Sequence, residues 1–237
     1  MLEELQCILD SAARFRRKNG RPFVIVTYAQ GLDGSIASRN RKPLAISGEE
    51  SMQFTHWMRS IFDAILVGIG TVRVDNPRLT VRKVDGISPQ PVVLDTRLRI
   101  SRNANLIRRG DRPCWVIGGT NPDRSRRVAL ERAGAKVLPC RTAENGKIDL
   151  HRLMQLLTDH SVNSLMVEGG ARVITGFINA GLIDRLIVTI SPKFIGGLNA
   201  IDRRSLLIHP FLSMEDVSYR PLGDDIILSA RPRWKAT

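Results

Sequence analysis

Two glycines, a threonine and a carboxylate follow an apolar run near residue 68. The run 63–68 reads Asp-Ala-Ile-Leu-Val-Gly and leads through Gly70 and Thr71 to Asp75. Glycines let a backbone approach a phosphate closely, and a threonine adds a hydroxyl and an amide that can bind one. A glycine turn that serves only close packing is the alternative. The segment departs from the dinucleotide-binding fingerprint, because Arg73 stands where a third glycine or an alanine belongs.

A second apolar run, 164–167, ends in a carboxylate and two further glycines. Glu168 precedes Gly169 and Gly170, which open a predicted helix. Amides in the first turn of such a helix favour an anion. Because ligands bind at the carboxyl ends of parallel strands, we expect Glu168 and Asp75 to face one crevice from different sides. A helix-capping role is the alternative for Glu168.

A basic extended segment, 76–82, follows the first of these run ends. It opens with Asn-Pro and closes with Arg82, whose guanidinium can pair with two oxygens of a phosphate. A solvated surface arginine is the alternative. Together the three segments predict a site for a phosphorylated ligand beside ionisable carboxyl groups.

Other catalytic schemes lack their residues. The sequence has no Gly-x-Ser-x-Gly elbow, and its histidines and cysteines lack the spacing of a metal site or a zinc deaminase, so we expect no metal. We interpret His56, in the middle of a predicted helix, as structural. We expect the cysteines to be reduced, inert thiols rather than part of a disulfide framework. The histidines are His56, His151, His160 and His209, and the cysteines are Cys7, Cys114 and Cys140.

The chain is strongly basic, with 36 lysines and arginines against 23 acidic residues and a net charge of +13. That balance raises nucleic acid as a partner. The basic residues are scattered in short groups, such as 108–112, and the aromatic residues needed for base stacking make up only 5% and are not interleaved with them. We therefore expect a solvated basic surface that partly serves a phosphorylated small molecule, rather than a nucleic-acid interface.

Apolar runs and helical patterns alternate along the chain. The runs are continuous, which is typical of buried parallel strands, so the sequence predicts an α/β fold whose mainly parallel sheet is covered by helices on both faces. The predicted strands are 23–29, 63–68, 91–95, 114–118, 134–138, 164–168, 182–190 and 225–229, with a loop at 70–77 and irregular chain at 198–215. Predicted helices cover 2–17, a stretch ending near 60 behind a capping box at 47–50, 122–133, 150–159 capped by Asp149, and 170–180.

The sequence predicts one domain, 1–237, because no linker or internal repeat divides it. No stretch approaches about 18 apolar residues, so we expect neither a transmembrane helix nor a membrane partner. Acidic residues at Glu3, Glu4 and Asp10 interrupt the N-terminal apolar pattern. This argues against a secretory signal, and we expect a cytoplasmic protein.

Eight segments, in order, resemble the riboflavin-biosynthesis reductases. Each segment alone is unspecific, but their shared order from about residue 22 to residue 230 makes the resemblance specific. The segments are Phe23–Gly34, Thr55–Ser60, Asp63–Thr71, Asp75–Arg82, Val92–Asp95, Val167–Ala171, Leu182–Leu186 and Ser191–Gly197.

The resemblance implies a dihydrofolate-reductase-like fold, a mainly parallel twisted sheet flanked by helices, usually in a homodimer. It also implies reduction, with NADPH, of the ribosylamino sugar of a pyrimidine phosphate to a ribitylamino chain. Many bacterial members carry an N-terminal zinc deaminase, and this chain resembles the stand-alone type.

Two substrates fit that type. The preferred one is 2,5-diamino-6-ribosylamino-4(3H)-pyrimidinone 5′-phosphate, because Thr27 and the residues after it resemble the fungal form, whereas bacterial fused enzymes commonly carry a lysine there. The alternative is 5-amino-6-(5-phosphoribosylamino)uracil. A related reductase of another heterocycle, or a basic nucleic-acid-binding protein on the same scaffold, are further alternatives.

The resemblance also assigns roles to residues. Positions that hold NADPH match Ala29, Thr71, Asp75, Thr96, Gly169, Gly170, Ala171, Arg172 and Val173. Positions that face the substrate match Arg59, Leu79, Arg82 and Glu168, with the two arginines as phosphate holders. Arg97 and Arg99 add charge that would suit the 2′-phosphate of NADPH. The loop at Pro43–Ala45 departs from the bacterial pattern, where Ser-x-Trp is common.

The implied reaction needs the sugar ring open as an imine at C1′, where NADPH delivers a hydride. The protein then has to hold the two reactants in contact and stabilise the developing charge. Asp75 and Glu168 are the predicted catalytic carboxyl groups. Asp33, in the first turn, is a third candidate with a turn-forming role as its alternative.

Overall fold

The computed structural model describes residues 2–40, 44–207 and 212–234, and Pro43 and His209 lie outside these ranges. The strands are β1 (Phe23–Gly31), β2 (Ser35–Ala37), β3 (Ala64–Gly68), β4 (Gln90–Leu94), β5 (Trp115–Gly118), β6 (Lys136–Pro139), β7 (Ser164–Val167), β8 (Arg185–Ser191), β9 (Leu198–Asn199), β10 (Met214–Leu222) and β11 (Asp225–Pro232). The helices are α1 (Leu2–Asp10), α2 (Ala12–Asn19), α3 (Glu49–Ile61), α4 (Ile69–Asp75), α5 (Arg124–Arg132), α6 (Leu150–Asp159) and α7 (Ala171–Asn179). None of the helices in these ranges is long and apolar enough to cross a membrane.

A nine-stranded sheet in the order β10-β11-β8-β1-β7-β3-β4-β5-β6 forms the centre of the molecule. All neighbours from β8 to β6 pair in parallel. β11 pairs antiparallel with β8 and with β10, and β2 pairs with β9 in a separate small sheet. The predicted mainly parallel sheet is therefore confirmed, with an antiparallel hairpin at one edge.

Alternate strand residues pack into two apolar cores, one on each face of the sheet. In β3, Ile65 and Val67 join one core with residues of α1, α3, α4 and α5, while Leu66 joins the other with residues of α6 and α7. Ile65 and Leu66 are fully buried. Burying one such side chain contributes about 2 kcal/mol. This two-sided packing keeps the strands in register, and with them the residues at their carboxyl ends.

The predicted helix over 2–17 is wrong as a single element, because the chain breaks at Ser11. The Ser11 hydroxyl donates to the carbonyl of Ile8 at 2.8 Å, and the Ser11 amide donates to the same carbonyl at 3.2 Å. A serine that bonds back to the preceding turn competes with the α-helical hydrogen bond. The second helix, α2, ends at Gly20, whose φ of 66° is the left-handed conformation that favours glycine.

The predicted capping box at 47–50 is also wrong. The residue that caps α3 is Gly48, and its amide donates to Asp225 Oδ2 at 2.7 Å. A carboxylate from the distant start of β11 thus replaces the local motif. By contrast, Asp149 caps α6 as predicted, since its side chain accepts hydrogen bonds from amides of the first turn.

The predicted loop at 70–77 is mostly helical. Ile69 and Val72, one helical turn apart, are both buried against the core, so tertiary packing stabilises a short helix despite its glycine and its β-branched residues. The helix ends at Asn76, which has a φ of 42° in the left-handed region, and Pro77 follows. The consequence is that Asp75 occupies the last helical turn.

The irregular chain predicted over 198–215 contains β9 and the start of β10. β10 is an edge strand whose residues are mostly exposed, and it contains Pro221. Its pairing with β11 shifts register between Glu215 and Ser218. Exposure, a proline and a bulge suit an edge strand, but they remove the hydrophobic pattern by which a strand is recognised.

Candidate active site

The two glycine–carboxylate segments lie side by side. β3 and β7 pair with Leu66 opposite Val167, and the Glu168 amide donates to the carbonyl of Leu66 at 2.9 Å. The start of α4 therefore lies beside the start of α7. Gly170, the residue that caps α7, faces Thr71, whose Oγ1 would stand 3.4 Å from a Cβ at position 170.

The glycines of these segments serve two different purposes. A Cβ at Gly68 would stand 2.7 Å from Val173 Cγ2, and one at Gly169 would stand 2.5 Å from Val173 Cβ. The missing side chains let the first turn of α7 lie against the end of β3. Gly70 is exposed and a Cβ there would meet nothing within 4 Å. Close packing thus explains Gly68, and Gly70 is the glycine whose backbone a ligand can approach.

Glu168 is joined to Arg59 of α3 by a bidentate ion pair. Arg59 Nε donates to Glu168 Oε1 at 2.8 Å, and Arg59 Nη2 donates to Oε2 at 2.6 Å. Only 11% of the Arg59 side chain and 17% of the Glu168 side chain are exposed. Burial alone would lower the pKa of Arg59, but the charge and hydrogen bonds of Glu168 raise it above its usual value. The pair is fixed at the carboxyl end of β7, and Glu168 occupies the edge of the guanidinium that Nε and Nη2 form.

Arg82 is exposed at the end of the segment 76–82. Its Nη1 donates to Thr80 Oγ1 at 2.6 Å. Burial, followed by the like charges of Arg59 and Arg78, lowers the pKa of Arg82. Three guanidinium groups beside one carboxylate leave a positive potential that a phosphate would relieve.

Leu79 anchors the same segment. Its side chain is 3% exposed and packs in the core, while its φ of 53° is costly for a leucine. The buried side chain of Arg109 reaches the carbonyls of Arg78 and Leu79, both at 3.4 Å. Because the Leu79 side chain lies in the core, contact with a substrate would have to come from its backbone.

The two other candidate carboxyl groups, those of Asp75 and Asp33, differ in their hydrogen bonding and in the direction of their pKa shifts. The side chain of Asp75 makes no hydrogen bond or ion pair with any residue in the described ranges, and although the residue is exposed, partial desolvation raises the pKa of its carboxyl group. Asp33 accepts hydrogen bonds from the Ser35 hydroxyl at 2.7 Å and from the Gly196 amide at 2.6 Å. These bonds, the serine's first, lower the pKa of Asp33 to about 2. Asp33 therefore fastens two turns together, and Asp75 is the carboxyl group available to exchange a proton.

Ala29 and Thr96 extend the edge on either side of β3 and β7. Ala29 lies in the carboxyl half of β1, opposite Thr189 of β8. Thr96 follows β4, and its carbonyl accepts a hydrogen bond from the Gly119 amide at 3.0 Å. The predicted cofactor residues thus form a row across the carboxyl ends of β1, β7, β3 and β4.

A basic cavity of about 470 Å³ adjoins the turn after β4. Arg126 Nη1 donates to the carbonyl of Arg97 at 3.0 Å, which ties α5 to that turn. The arginines that line the cavity are Arg73, Arg99, Arg102 and Arg126.

Within the part of the chain that the structure describes, no group of three or more His, Cys, Asp or Glu residues could hold a metal ion. The three cysteines are free. Burial raises the pKa of Cys114 to about 12, and burial followed by the nearby Asp149 raises that of Cys140 to about 11. Both thiols are therefore protonated and unreactive near neutral pH.

Three residues that organise the site have no site role in the sequence interpretation. His56 Nδ1 accepts the Arg82 amide at 3.0 Å, and Ser88 Oγ accepts the amide of Val81 at 3.0 Å. Arg109 is the third. The sequence could have indicated a site role for His56, because it precedes Arg59 by one helical turn and so lies on the same face of the helix. Nothing in the sequence separates Arg109 from the exposed basic residues around it.

Known proteins share both this sequence and this architecture. The family model for the RibD C-terminal domain matches residues 22–228. The 2,5-diamino-6-ribosylamino-4(3H)-pyrimidinone 5′-phosphate reductase of Methanothermobacter thermautotrophicus is 38% identical over 183 residues, which cover 76% of this chain and 82% of that protein. The riboflavin biosynthesis protein RibD of Bacillus amyloliquefaciens is 34% identical over 224 residues, covering 91% of this chain but only 59% of the relative.

Solved structures of related proteins have a similar fold. The riboflavin biosynthesis reductase Rib7 of Saccharomyces cerevisiae superposes with a TM-score of 0.72 at 27% identity over 90% of each chain. A dihydrofolate reductase of Enterococcus faecalis, solved with NADP(H), gives a TM-score of 0.52 at 12% identity over 90% of this chain and 97% of that one, a likeness of fold alone. The predicted dihydrofolate-reductase-like fold is confirmed. The motifs, the site at the strand ends and the match over most of the chain lead to one assignment: the chain belongs to the RibD C-terminal domain family.

Proposed function

We propose that the protein is an NADPH-dependent oxidoreductase of riboflavin biosynthesis. Its proposed reaction reduces the ribosylamino sugar of 2,5-diamino-6-ribosylamino-4(3H)-pyrimidinone 5′-phosphate to the ribitylamino form. Relatives of 36% and 38% identity bear the name of that reductase. The structural observation that carries the proposal is the row of glycines, carboxylates and arginines at the carboxyl edge of β7, β3 and β4.

The residues at this edge fit a dinucleotide. Gly70 leaves its backbone open, and the Thr71 hydroxyl lies beside Gly170. Gly170 has no side chain with which to cap this nine-residue helix, and the Val173 amide donates to the Gly170 carbonyl, so the first-turn amides left for a ligand are those of Ala171 and Arg172. Such amides favour the pyrophosphate of a dinucleotide.

The preference for NADPH over NADH rests on charge near the turn after β4. Arg97 and Arg99 follow Thr96 there, and the basic cavity adjoins them. We expect Arg99→Ala to raise the KM for NADPH about tenfold with little change for NADH, because one ion pair to the 2′-phosphate would be lost. An equal effect on both cofactors would place the 2′-phosphate elsewhere. Arg17→Ala, on the exposed side of α2, is the matched control.

The substrate phosphate fits the arginines of the segment 76–82 and α3. Arg82 and Arg78 are exposed, and Arg59 lies behind them with its charge balanced by Glu168. An exposed cation close to two others gains most from a dianion. Arg82 is therefore the principal phosphate ligand in this proposal, with Arg59 contributing through its charge.

The mechanism assigns proton transfer to Asp75. Its raised pKa keeps a fraction of the carboxyl group protonated nearer to neutral pH than usual, so that it can protonate the ring oxygen as the sugar opens to an iminium at C1′. When bound, the cofactor supplies the hydride that converts the C1′ iminium to the amine. In this proposal Glu168, whose carboxylate Arg59 holds at the carboxyl end of β7, stabilises the iminium charge.

The test is NADPH oxidation, followed by its absorbance, with each pyrimidine phosphate. We expect turnover with the diamino compound and a kcat/KM at least about tenfold lower with 5-amino-6-(5-phosphoribosylamino)uracil. The reverse preference would favour the uracil reaction. No oxidation with either compound, together with nucleic-acid binding that falls steeply with salt, would contradict the reductase proposal.

We further propose that the whole chain acts as one domain in a cytoplasmic homodimer. Large apolar side chains are exposed in the turn after β8 and in β10, including Phe194 at 82% and Tyr219 at 67%. Exposed apolar groups of this size are typical of an interface. Light scattering should give about twice the chain mass of 26.4 kDa. A monomer at micromolar concentration, or no loss of dimer in Tyr219→Asp and Phe194→Asp, would contradict the proposed dimer or its surface.

A further inference from the structure

His56 is the buried residue that links the two arginine-bearing elements of the site. It lies in the middle of α3 and has no exposed surface. Its Nδ1 accepts the backbone amide of Arg82 at 3.0 Å, from a segment 26 residues away in the chain. Its Nε2 lies 3.5 Å from Nη1 of Arg59, one helical turn further along α3.

The Arg82 amide determines the tautomer of His56. An amide can only donate, so Nδ1 carries a lone pair and the proton of the neutral ring is on Nε2. The Arg59 guanidinium also donates only, so the contact between Nε2 and Arg59 Nη1 is not a hydrogen bond. Arg59 is therefore directed towards Glu168, where its two strong hydrogen bonds lie.

Two side chains from outside the segment 76–82 accept hydrogen bonds from two successive backbone amides of that segment. Ser88 accepts the amide of Val81, and His56 accepts that of Arg82. The Arg82 side chain then turns back to the Thr80 hydroxyl at 2.6 Å. Without the histidine acceptor, the Arg82 amide would lose its partner and the backbone that carries the guanidinium would be free to move.

We propose that His56, as the neutral tautomer protonated on Nε2, is a positioning residue for the phosphate of the substrate: it fixes the Arg82 backbone at a set distance from the Arg59–Glu168 pair. The inference rests on the proposed function of the site. His56 itself touches neither substrate nor cofactor, and it acts through Arg82. Its loss should therefore change the KM for the phosphorylated pyrimidine much more than kcat or the KM for NADPH.

The experiment compares three variants of the full chain. His56→Asn keeps an acceptor near the place of Nδ1, His56→Gln moves the acceptor towards the place of Nε2, and His56→Leu removes it. We expect the KM for the pyrimidine to rise about tenfold in His56→Leu and His56→Gln, because each loses one hydrogen bond that positions a charge. In His56→Asn the KM should stay within about threefold of the parent value. The comparison of Asn with Gln keeps the test valid if the Leu variant does not fold. Equal KM values in Asn and Gln would overturn the proposal.

A double-mutant cycle separates positioning from general damage. In an Arg82→Ala background, His56→Gln should change the pyrimidine KM by less than about twofold, because the residue through which it acts is gone. Additive effects would overturn the proposal. His160→Gln is the matched control, since His160 follows α6 and packs edge-to-face against Trp115 at the start of β5, which is the end of the parallel strands opposite the site.

Hydrogen exchange of the Arg82 amide, measured without ligands, makes this test independent of the assigned reaction. We expect protection in the parent and in His56→Asn, and faster exchange in His56→Gln. If the parent reduces neither pyrimidine, the proposed function has failed while the exchange result still decides whether His56 holds Arg82. Unchanged protection in His56→Gln would overturn the proposal.

Discussion

Gly68 at the end of β3 and Val173 in the first turn of α7 are packed so closely that no side chain fits between them. A Cβ at position 68 would stand 2.7 Å from Val173 Cγ2. Because Val173 is β-branched and helical, its side chain has one strongly preferred rotamer and cannot swing away. This contact sets how close the start of α7 lies to the end of β3, and therefore how close Gly170 lies to Thr71.

Gly68→Ala should therefore lower the free energy of unfolding by about 1–3 kcal/mol, the usual cost of overpacking. Gly70→Ala is the matched control two residues away. A methyl group there meets nothing within 4 Å, so in a helix it should leave stability unchanged or raise it by up to about 1 kcal/mol. Urea unfolding gives the free energy of unfolding of each variant. Equal values for the two variants would show that the packing around position 68 is not tight.

Asp75→Asn should lower kcat by about a hundredfold, the usual contribution of a positioned acid or base, while the Kd for NADPH changes by less than about threefold. An amide keeps the size of the carboxyl group but cannot exchange its proton. Steady-state kinetics and cofactor titration give the two values. Asp159→Asn, exposed at the end of α6, is the control. An unchanged kcat would remove Asp75 from the chemistry.

Arg82→Ala should raise the KM for the phosphorylated pyrimidine about tenfold or more, with a much smaller change in kcat. The guanidinium is exposed and repelled by Arg59 and Arg78, and among the described residues it is hydrogen-bonded only to Thr80. It can therefore pair with a phosphate, and be removed, at little cost to the stability of the fold. Arg82→Lys should recover part of the loss, since a point charge replaces the bidentate fork. If KM is the same in the parent and both variants, another residue binds the phosphate.

The stability of the protein should depend on pH through His56. Burial, followed by the charges of Arg59 and Arg82, lowers the pKa of His56 from 6.5 to about 4; Glu168 opposes this and Lys83 adds to it. Because the folded state binds the proton more weakly than the unfolded chain, stability is complete above the unfolded pKa. It falls as the pH drops from 6.5 towards 4, by up to about 3 kcal/mol, and then levels off.

The His56→Asn variant isolates this contribution, because asparagine does not titrate. Unfolding free energies at about pH 7 and about pH 5 should differ more in the parent than in the variant. A pH dependence of the same size in both proteins would mean that other groups cause the loss.

Local sequence patterns were sufficient for the sheet and for most of its helices. Each buried parallel strand is a continuous apolar run, and the row of site residues follows from the rule that parallel strands present their carboxyl ends at one edge. Asp149, which caps α6, shows a local motif that the folded chain keeps. The helix α4 could not be predicted in this way, since the burial of Ile69 and Val72, not propensity, stabilises it.

The contacts that complete the site join residues far apart in the chain. Arg59 and Glu168 are 109 positions apart, and Arg109 and Leu79 are 30 apart. A single sequence shows that such residues are charged or apolar, but not which of them meet. Composition therefore favours a surface arginine at 109, whereas the structure buries it against the carbonyls of the basic segment.

In the proposed reaction, one site holds a nicotinamide cofactor against C1′ of a phosphorylated pyrimidine sugar. The most direct test uses NADPH carrying deuterium at the transferred position of nicotinamide C4, and mass spectrometry of the product. We expect one deuterium atom in the ribitylamino product, located at C1′, and one labelled product molecule for each NADPH oxidised. A reduced product without deuterium, or no reduced product while NADPH is oxidised, would contradict it.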